Sequence, residues 1–183
     1  VRSKNTVNVI LKNFTDIGLG TFGFWLIGFG LMFGVNPSGW IGMSMFAPAT
    51  TEATDSLNLL FQMMFAATAA TIMSGAVAER FSFMPYIVGA FLITAFVYPI
   101  FGSWAWGGAD DTMGWLASIG FHDFAGASVV HSIGGWCALG ALILIGPRHG
   151  RYSRKGAIHE IPGHNLPYVA IGGLILWFGW FGF

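Results

Sequence analysis

Long runs without charged residues dominate this chain. Residues 56–78 contain no Asp, Glu, Lys or Arg, and residues 84–106 form a second uncharged run of similar length. An α-helix rises about 1.5 Å per residue, so about 20 apolar residues cross the hydrocarbon core of a bilayer. Only 9% of the residues are charged whereas 55% are hydrophobic, which leaves too few polar residues to cover a water-soluble domain. The sequence therefore predicts an integral membrane protein.

Five segments are apolar enough to be predicted as membrane-spanning helices. They are residues 13–34, 56–78, 84–106, 124–146 and 168–183. We therefore expect an all-α fold, a polytopic transmembrane helical bundle. Small residues recur at every fourth position of the second segment and favour close packing against another helix: Ala66, Ala70, Ser74 and Ala78.

The two ends of the sequence indicate that this chain is an internal part of a larger protein. The chain begins with Val1 rather than Met, no signal peptide precedes the first apolar segment, and Phe183 lies within an apolar run. We expect residues 1–183 to form a partial transmembrane domain, truncated at both ends.

The positive charges predict an orientation in the membrane. All eight Lys and Arg residues lie before the first helix, after the second or after the fourth, and therefore on one side. The positive-inside rule assigns that side to the cytoplasm. We expect a multi-pass protein of the cell (inner) membrane. Four residues then converge on the outer half: Phe65, Trp106, Asp123 and Phe183.

Lys12 and Asp16 lie near the predicted inner end of the first helix. Their spacing of four residues allows an ion pair on one helix face, and Lys12 could also extend to the lipid headgroups. Both interpretations give Lys12 and Asp16 a structural function only. The lone Cys137 is interpreted as a small packing residue, and the net charge of zero gives no reason to expect a nucleic-acid partner.

An acid and a histidine stand out in the fourth segment. Asp123 lies at its boundary, where it could cap the helix, and His131 lies within the apolar run. Eight residues of helix place His131 roughly 12 Å deeper than Asp123, close to the membrane midplane. The imidazole could form a helix–helix hydrogen bond or belong to a transport pathway.

Metal, cofactor and enzyme functions are not expected. The other four histidines lie in predicted loops, so neither haem ligation within the membrane nor a redox subunit with paired histidines is favoured. His159 and His164 resemble a zinc motif only superficially, because Pro162 and Gly163 interrupt any helix between them.

Phe65 and Trp106 have two interpretations. Aromatic residues near a membrane boundary are usually lipid-facing or packing residues. Their convergence with Asp123 favours the second interpretation, a cation-binding site. Aromatic ring faces attract cations, and a nearby carboxylate adds to the electrostatic attraction. The sequence thus indicates a candidate site for a small cation.

Four sequence stretches resemble the ammonium transporter (Amt/Mep/Rhesus) family: FQMMFAATAATIMSGAVAER, SWAWGG, DFAGASVVH and HNLPYVAIGGLILWFGWFGF. The resemblance covers essentially the whole chain, and a tryptophan at position 106 favours the Amt branch. It implies the second through most of the sixth helix of an eleven-helix protein. Such a protein is an inverted repeat that assembles as a homotrimer with one pore in each subunit.

The resemblance also implies functions for individual residues. Trp106 and Phe65 match the outer aromatic residues that recruit the cation, and Phe65 and Phe183 match a stacked phenyl gate. Asp123 matches the acid that supports recruitment. His131 matches the first of two pore histidines, and the second would lie beyond Phe183.

The mechanism implied is recruitment of ammonium, its deprotonation, and passage of ammonia through a hydrophobic pore. An ammonium ion would lose several kcal/mol of solvation there, whereas neutral ammonia loses far less. The alternative is an ammonium-sensing membrane domain fused to a histidine kinase or cyclic-dinucleotide synthase. Expected partners are ammonium or ammonia, the lipid bilayer, and a cytoplasmic regulatory protein or fused signalling domain.

Overall fold

The computed structural model describes residues 1–49, 53–108, 113–153 and 156–181. Five principal helices run through these ranges: α1 (Ser3–Phe33), α2 (Ala53–Ala76), α3 (Phe83–Ala105), α4 (Ala127–Ile145) and α5 (Leu166–Trp180). The first four contain apolar stretches long enough to cross a membrane, and α5 is a shorter apolar helix. The predicted all-α fold is confirmed.

All five helices begin at positions other than those predicted, by one to ten residues, and the reason is clear for two of them. The first begins at Ser3, ten residues before the predicted start at 13, because its first turns are polar and the prediction followed the absence of charge. The fourth begins at Ala127 rather than 124, because a turn ending at Gly126 precedes the helix. Absence of charge therefore locates an apolar span but not the ends of the helix that contains it.

Helices α2 and α4 pack closely through small residues. The predicted small residues of α2 are buried, with exposures of 0% to 2%: Ala66, Ala70, Ser74 and Ala78. A Cβ atom added at Gly134 of α4 would lie 2.8 Å from the carbonyl oxygen of Ala69 on α2. Only glycine permits this approach, so α4 is held against the helix that carries Phe65.

Lys12 is completely buried, so the interpretation that it extends to the headgroups is wrong. Its Nζ donates a hydrogen bond to the carbonyl oxygen of Phe81 at 2.8 Å and lies 5.0 Å from the ring centroid of Tyr86. Asp16, also fully buried, accepts hydrogen bonds from the hydroxyl groups of Tyr86 and Thr71. Helices α1, α2 and α3 are thus joined by a polar cluster inside the bundle.

The two ends of the bundle differ in chemistry. At one end, the indoles of Trp40, Trp104 and Trp115 contact one another with centroid distances of 5.2 to 5.7 Å. At the other end, Arg2 and Arg148 lie 3.3 and 3.8 Å from the carboxylate oxygens of Glu79. The segments before α1, between α2 and α3, and after α4 therefore meet at the same end of the bundle, as the distribution of Lys and Arg predicted.

Cysteine labelling tests which end faces the cytoplasm. In a Cys137→Ala background, we expect Ser38→Cys to react with an impermeant maleimide added outside cells, since Ser38 lies in the loop without Lys or Arg. His149→Cys, in the loop rich in arginine, should react only after the cells are opened. Both native residues are exposed, so protection by protein does not separate them. Reaction of both cysteines from the outside would contradict the predicted orientation.

Candidate functional site

Asp123 organises the turn that begins α4. Its two carboxylate oxygens accept four backbone hydrogen bonds, from the N–H groups of residues 126, 127, 128 and 129, at 2.8 to 3.0 Å. The first turn of a helix has N–H groups without partners in the helix, and a carboxylate satisfies them especially well. Asp123 therefore satisfies the first N–H groups of α4 as predicted, but the N-cap residue is Gly126, so the predicted N-cap position of Asp123 is wrong.

The turn requires glycine at position 126. Gly126 has a φ of +86°, in the left-handed region that side chains with a Cβ rarely adopt. A Cβ atom there would lie 2.6 Å from the side chain of Val130 and 3.3 Å from the indole of Trp106. The sequence Asp-Phe-Ala-Gly thus produces a tight turn against which the indole of Trp106 packs.

His131 lies in a widened helical segment. Residues Ala127–Ser132 form a π-helix, and the N–H of His131 reaches back to the carbonyl oxygen of Gly126 at 3.0 Å. Such segments are uncommon and are frequent at functional sites. In an α-helix this hydrogen bond would reach back four residues instead of five. The extra residue in the turn changes the direction of the His131 side chain relative to the rest of α4.

Trp106 is attached to the same turn. It immediately follows α3, and its indole Nε1 donates a hydrogen bond to the backbone carbonyl oxygen of Asp123 at 2.6 Å. The carboxylate of Asp123 is occupied by backbone N–H groups, and the residue as a whole is only 8% exposed. Asp123 therefore positions the indole through the turn, and its carboxylate is not open to a ligand.

Three aromatic rings form a row from α2 to Trp106. The ring centroids of Phe61 and Phe65 lie 4.7 Å apart at an interplanar angle of 83°. Those of Phe65 and Trp106 lie 6.2 Å apart at 63°. Edge-to-face contacts of this kind fix the relative orientation of the rings.

Phe65 also lines a cavity of about 350 Å³. Its walls come from α2, the α4 turn and α5: Phe65, Thr68, Ala125, Ala127, His131, Leu176 and Trp180. The hydroxyl of Thr68 donates to the carbonyl oxygen of Met64 at 2.8 Å, which leaves its oxygen able to accept. Thr68 and His131 therefore supply the polar side chains of a mainly apolar cavity.

The structure brings most of the predicted site residues together. Phe65, Trp106 and Asp123 form one connected group, and Phe65 also lines the cavity that contains His131. Phe183 lies outside the described residues, so its predicted position in a phenyl gate stays a prediction. The imidazole of His131 is exposed to the cavity and forms no hydrogen bond with any residue in the described ranges.

Sequence reasoning missed three residues of this region. Phe61 lies four residues before Phe65, and Thr68 lies three residues after it, so helical periodicity could have placed both beside Phe65. Trp180 is three residues before Phe183 and could have been found in the same way. Each was overlooked because aromatic and threonine residues are frequent in membrane helices.

Comparisons with known proteins agree on one family. The model of the Ammonium Transporter Family matches residues 1–183. A putative ammonium transporter from Synechocystis is 47% identical over 100% of this chain and 35% of its own length. Ammonium transporter Amt2 from Archaeoglobus fulgidus is 44% identical over 100% of this chain and 40% of its own length.

Solved structures give the same result. The structure described as a sensor Amt protein superposes with a TM-score of 0.91 at 46% identity, covering 100% of this chain and 46% of that one. The chain thus spans between 35% and 46% of the length of these relatives. Sequence and fold both agree with these relatives, and with its apolar spans the chain is an integral membrane protein that belongs to the ammonium transporter family.

Proposed function

We propose that this chain contributes the outer recruitment site and the first part of the pore of an ammonium transporter. The observation that carries the proposal is the position of Phe65. Its ring contacts the indole of Trp106 and also lines the cavity that contains His131. The ring of Phe65 thus connects the aromatic row, where a cation would be held, to the cavity.

Recruitment would depend on the aromatic row. A ring face attracts a cation by about 0.5 to 2 kcal/mol, and the indole provides the strongest of the three faces. Asp123 acts as a positioning residue, because its carboxylate holds the turn whose backbone carbonyl accepts the indole N–H. The carboxylate oxygens of Asp123 already accept hydrogen bonds, but the negative charge of the group still favours a cation nearby.

Passage beyond Phe65 would require loss of a proton. The cavity walls are mainly apolar, so they return little of the solvation energy that an ammonium ion loses, whereas ammonia crosses at a much lower cost. The Thr68 oxygen can accept an N–H from the cargo, and the imidazole of His131 can donate or accept a hydrogen bond. We propose that Phe183 completes the phenyl gate and that the protein functions as a homotrimer in the cell (inner) membrane.

Replacing Trp106 tests the recruitment site. In the full-length protein, we expect Trp106→Leu to raise the ammonium concentration for half-maximal uptake about tenfold, because loss of about 1.4 kcal/mol of binding corresponds to that factor. The measurement is the concentration dependence of ammonium-evoked current in proteoliposomes.

Trp104→Leu is the matched control. Trp104 also lies near the end of α3, but its ring contacts Trp40 and Trp115 rather than Phe65. The control should leave the half-saturating concentration unchanged. An equal change in both variants, or none in Trp106→Leu, would remove the support for cation recruitment at Trp106.

A sensor is the second candidate function, and it is favoured by the similarity to the solved sensor Amt protein. A sensor would bind ammonium at the same aromatic row and transmit occupancy to a signalling domain. Ammonium currents in proteoliposomes of the full-length protein distinguish the two candidates. Ammonium binding without any current would favour the sensor over the transporter.

A further inference from the structure

Three arginines line a cavity at the end of the bundle opposite the aromatic row. The cavity has a volume of about 300 Å³ and lies between the α2–α3 turn and the segment after α4. Half of its lining residues are arginines: Arg80, Pro147, Arg148, Arg151, Tyr152 and Ile161. No residue of the proposed transport path lines it.

Glu79, which lies 3.8 Å from Arg148, offsets only part of this charge. The Glu79 side chain is fully buried and accepts hydrogen bonds from the backbone N–H of Arg2 at 2.6 Å, the Arg2 Nε at 3.3 Å and the Asn5 amide at 3.0 Å. Burial would raise the pKa of Glu79, but these hydrogen bonds lower it to about 2, so the group is ionised. Its single negative charge is shared between Arg2 at 3.3 Å and Arg148 at 3.8 Å, so it offsets at most one of the positive charges around the cavity.

Backbone carbonyl groups hold two of the arginines in place. Arg80 donates to the carbonyl oxygen of Gly146 at 2.8 Å and to that of Ala76 at 2.9 Å, and its buried Nε has no partner in the described ranges. Arg151 donates to the carbonyl oxygen of His159 at 2.9 Å. A carbonyl fixes a guanidinium without cancelling its charge, so the site is ordered and remains positive.

We propose that this cavity binds a phosphate-bearing anion, either the headgroup of an anionic lipid or a soluble phosphate. Guanidinium groups bind phosphate oxygens through paired N–H donors, and three of them around one cavity match a group with several oxygens. The cavity lies at the ends of α2 and α4, on the side that carries the Lys and Arg residues. Anionic headgroups of the inner leaflet are present at that level of the membrane.

The bound anion would join the two helices that carry the proposed pore residues. Arg80 follows α2, which carries Phe65, whereas Arg148 and Arg151 follow α4, which carries His131. A ligand that binds only the folded protein raises its melting temperature in proportion to the logarithm of its concentration. Thermal melting therefore reports binding directly and independently of transport, so the proposal can fail or succeed separately from the transport function.

The test measures melting of the full-length protein with two probes. One series compares nanodiscs of phosphatidylcholine with nanodiscs containing phosphatidylglycerol, and the other adds inorganic phosphate to the phosphatidylcholine nanodiscs. We expect a rise in melting temperature with at least one probe. Arg148→Gln and Arg151→Gln should each weaken the apparent affinity about tenfold or more, because each removes a charged donor.

Lys4→Gln is the matched control. Lys4 is exposed at the same end of the bundle and does not line the cavity, so its replacement removes one positive charge without altering the site. The control should retain the wild-type shift. A shift with phosphatidylglycerol alone assigns the ligand to the lipid, and a shift with phosphate identifies a soluble anion. No shift with either probe, or an equal loss in Lys4→Gln, would overturn the proposal.

Discussion

Asp123→Ala is expected to destabilise the protein by roughly 3 kcal/mol or more. Hydrogen bonds to a charged group contribute about 1.5 to 3 kcal/mol each, and the substitution removes four of them together from a buried turn. The backbone N–H groups of residues 126–129 would then lack partners at the beginning of α4. Thermal melting of the purified full-length protein should show a large decrease, and ammonium affinity should fall with it because Trp106 loses its anchor.

Asp123→Asn separates positioning from a direct effect of charge. The amide oxygen can still accept from two of the N–H groups, whereas the amide nitrogen cannot accept from the other two. Positioning through the turn predicts an intermediate melting temperature and an intermediate ammonium affinity. If Asn kept wild-type stability while abolishing ammonium affinity, the carboxylate would have to act on the cation by charge alone.

His131→Ala is expected to abolish ammonium-specific transport without unfolding the protein. The imidazole faces the cavity and forms no hydrogen bond within the described ranges, so its removal breaks no such contact. Transport would be lost because the cavity would keep only the Thr68 hydroxyl as a polar side chain, and a hydroxyl can hydrogen-bond the cargo but is too weak a base to take up its proton. Ammonium-evoked current and thermal melting should be measured on the same preparation, with assembly checked by size.

Ser132→Ala is the control for this substitution. Ser132 is the next residue of the same π-helical segment and is also exposed. It should leave the current unchanged. If His131 serves packing instead, His131→Ala would lower stability by roughly 1 to 3 kcal/mol and leave the current intact, which would contradict the pore function of His131.

The sequence predicted the helical architecture because uncharged length alone decides whether a segment can cross a bilayer. It did not predict the start of α1, since the predicted helix began at residue 13, after Lys12, whereas α1 begins at Ser3. The partners of Lys12 and Asp16, which are Phe81, Tyr86 and Thr71, lie on other parts of the chain, and no local pattern indicates such contacts.

The candidate site was predictable to a similar extent. Asp123, Trp106 and His131 stand out as polar or interfacial residues in apolar surroundings, and the structure places them around one turn and one cavity. The attachment of Trp106 to the backbone carbonyl of Asp123 was not predictable, because it depends on the left-handed conformation of Gly126. The aromatic row was recognised only in part, since Phe61 differs little from the many other aromatic residues.

The buried cluster around Lys12 and Asp16 constrains the order in which the helices can assemble. Their partners are 55 to 70 residues further along the chain, so they are synthesised only after α1 has left the ribosome. An unpartnered Lys or Asp in a membrane-spanning helix raises the free energy of insertion, by about 2.5 to 3.5 kcal/mol at the helix centre and by less toward the ends of the apolar segment, where Lys12 and Asp16 lie. Until α3 arrives, α1 should therefore remain beside the translocon or near the interface, and its stable insertion should depend on Tyr86.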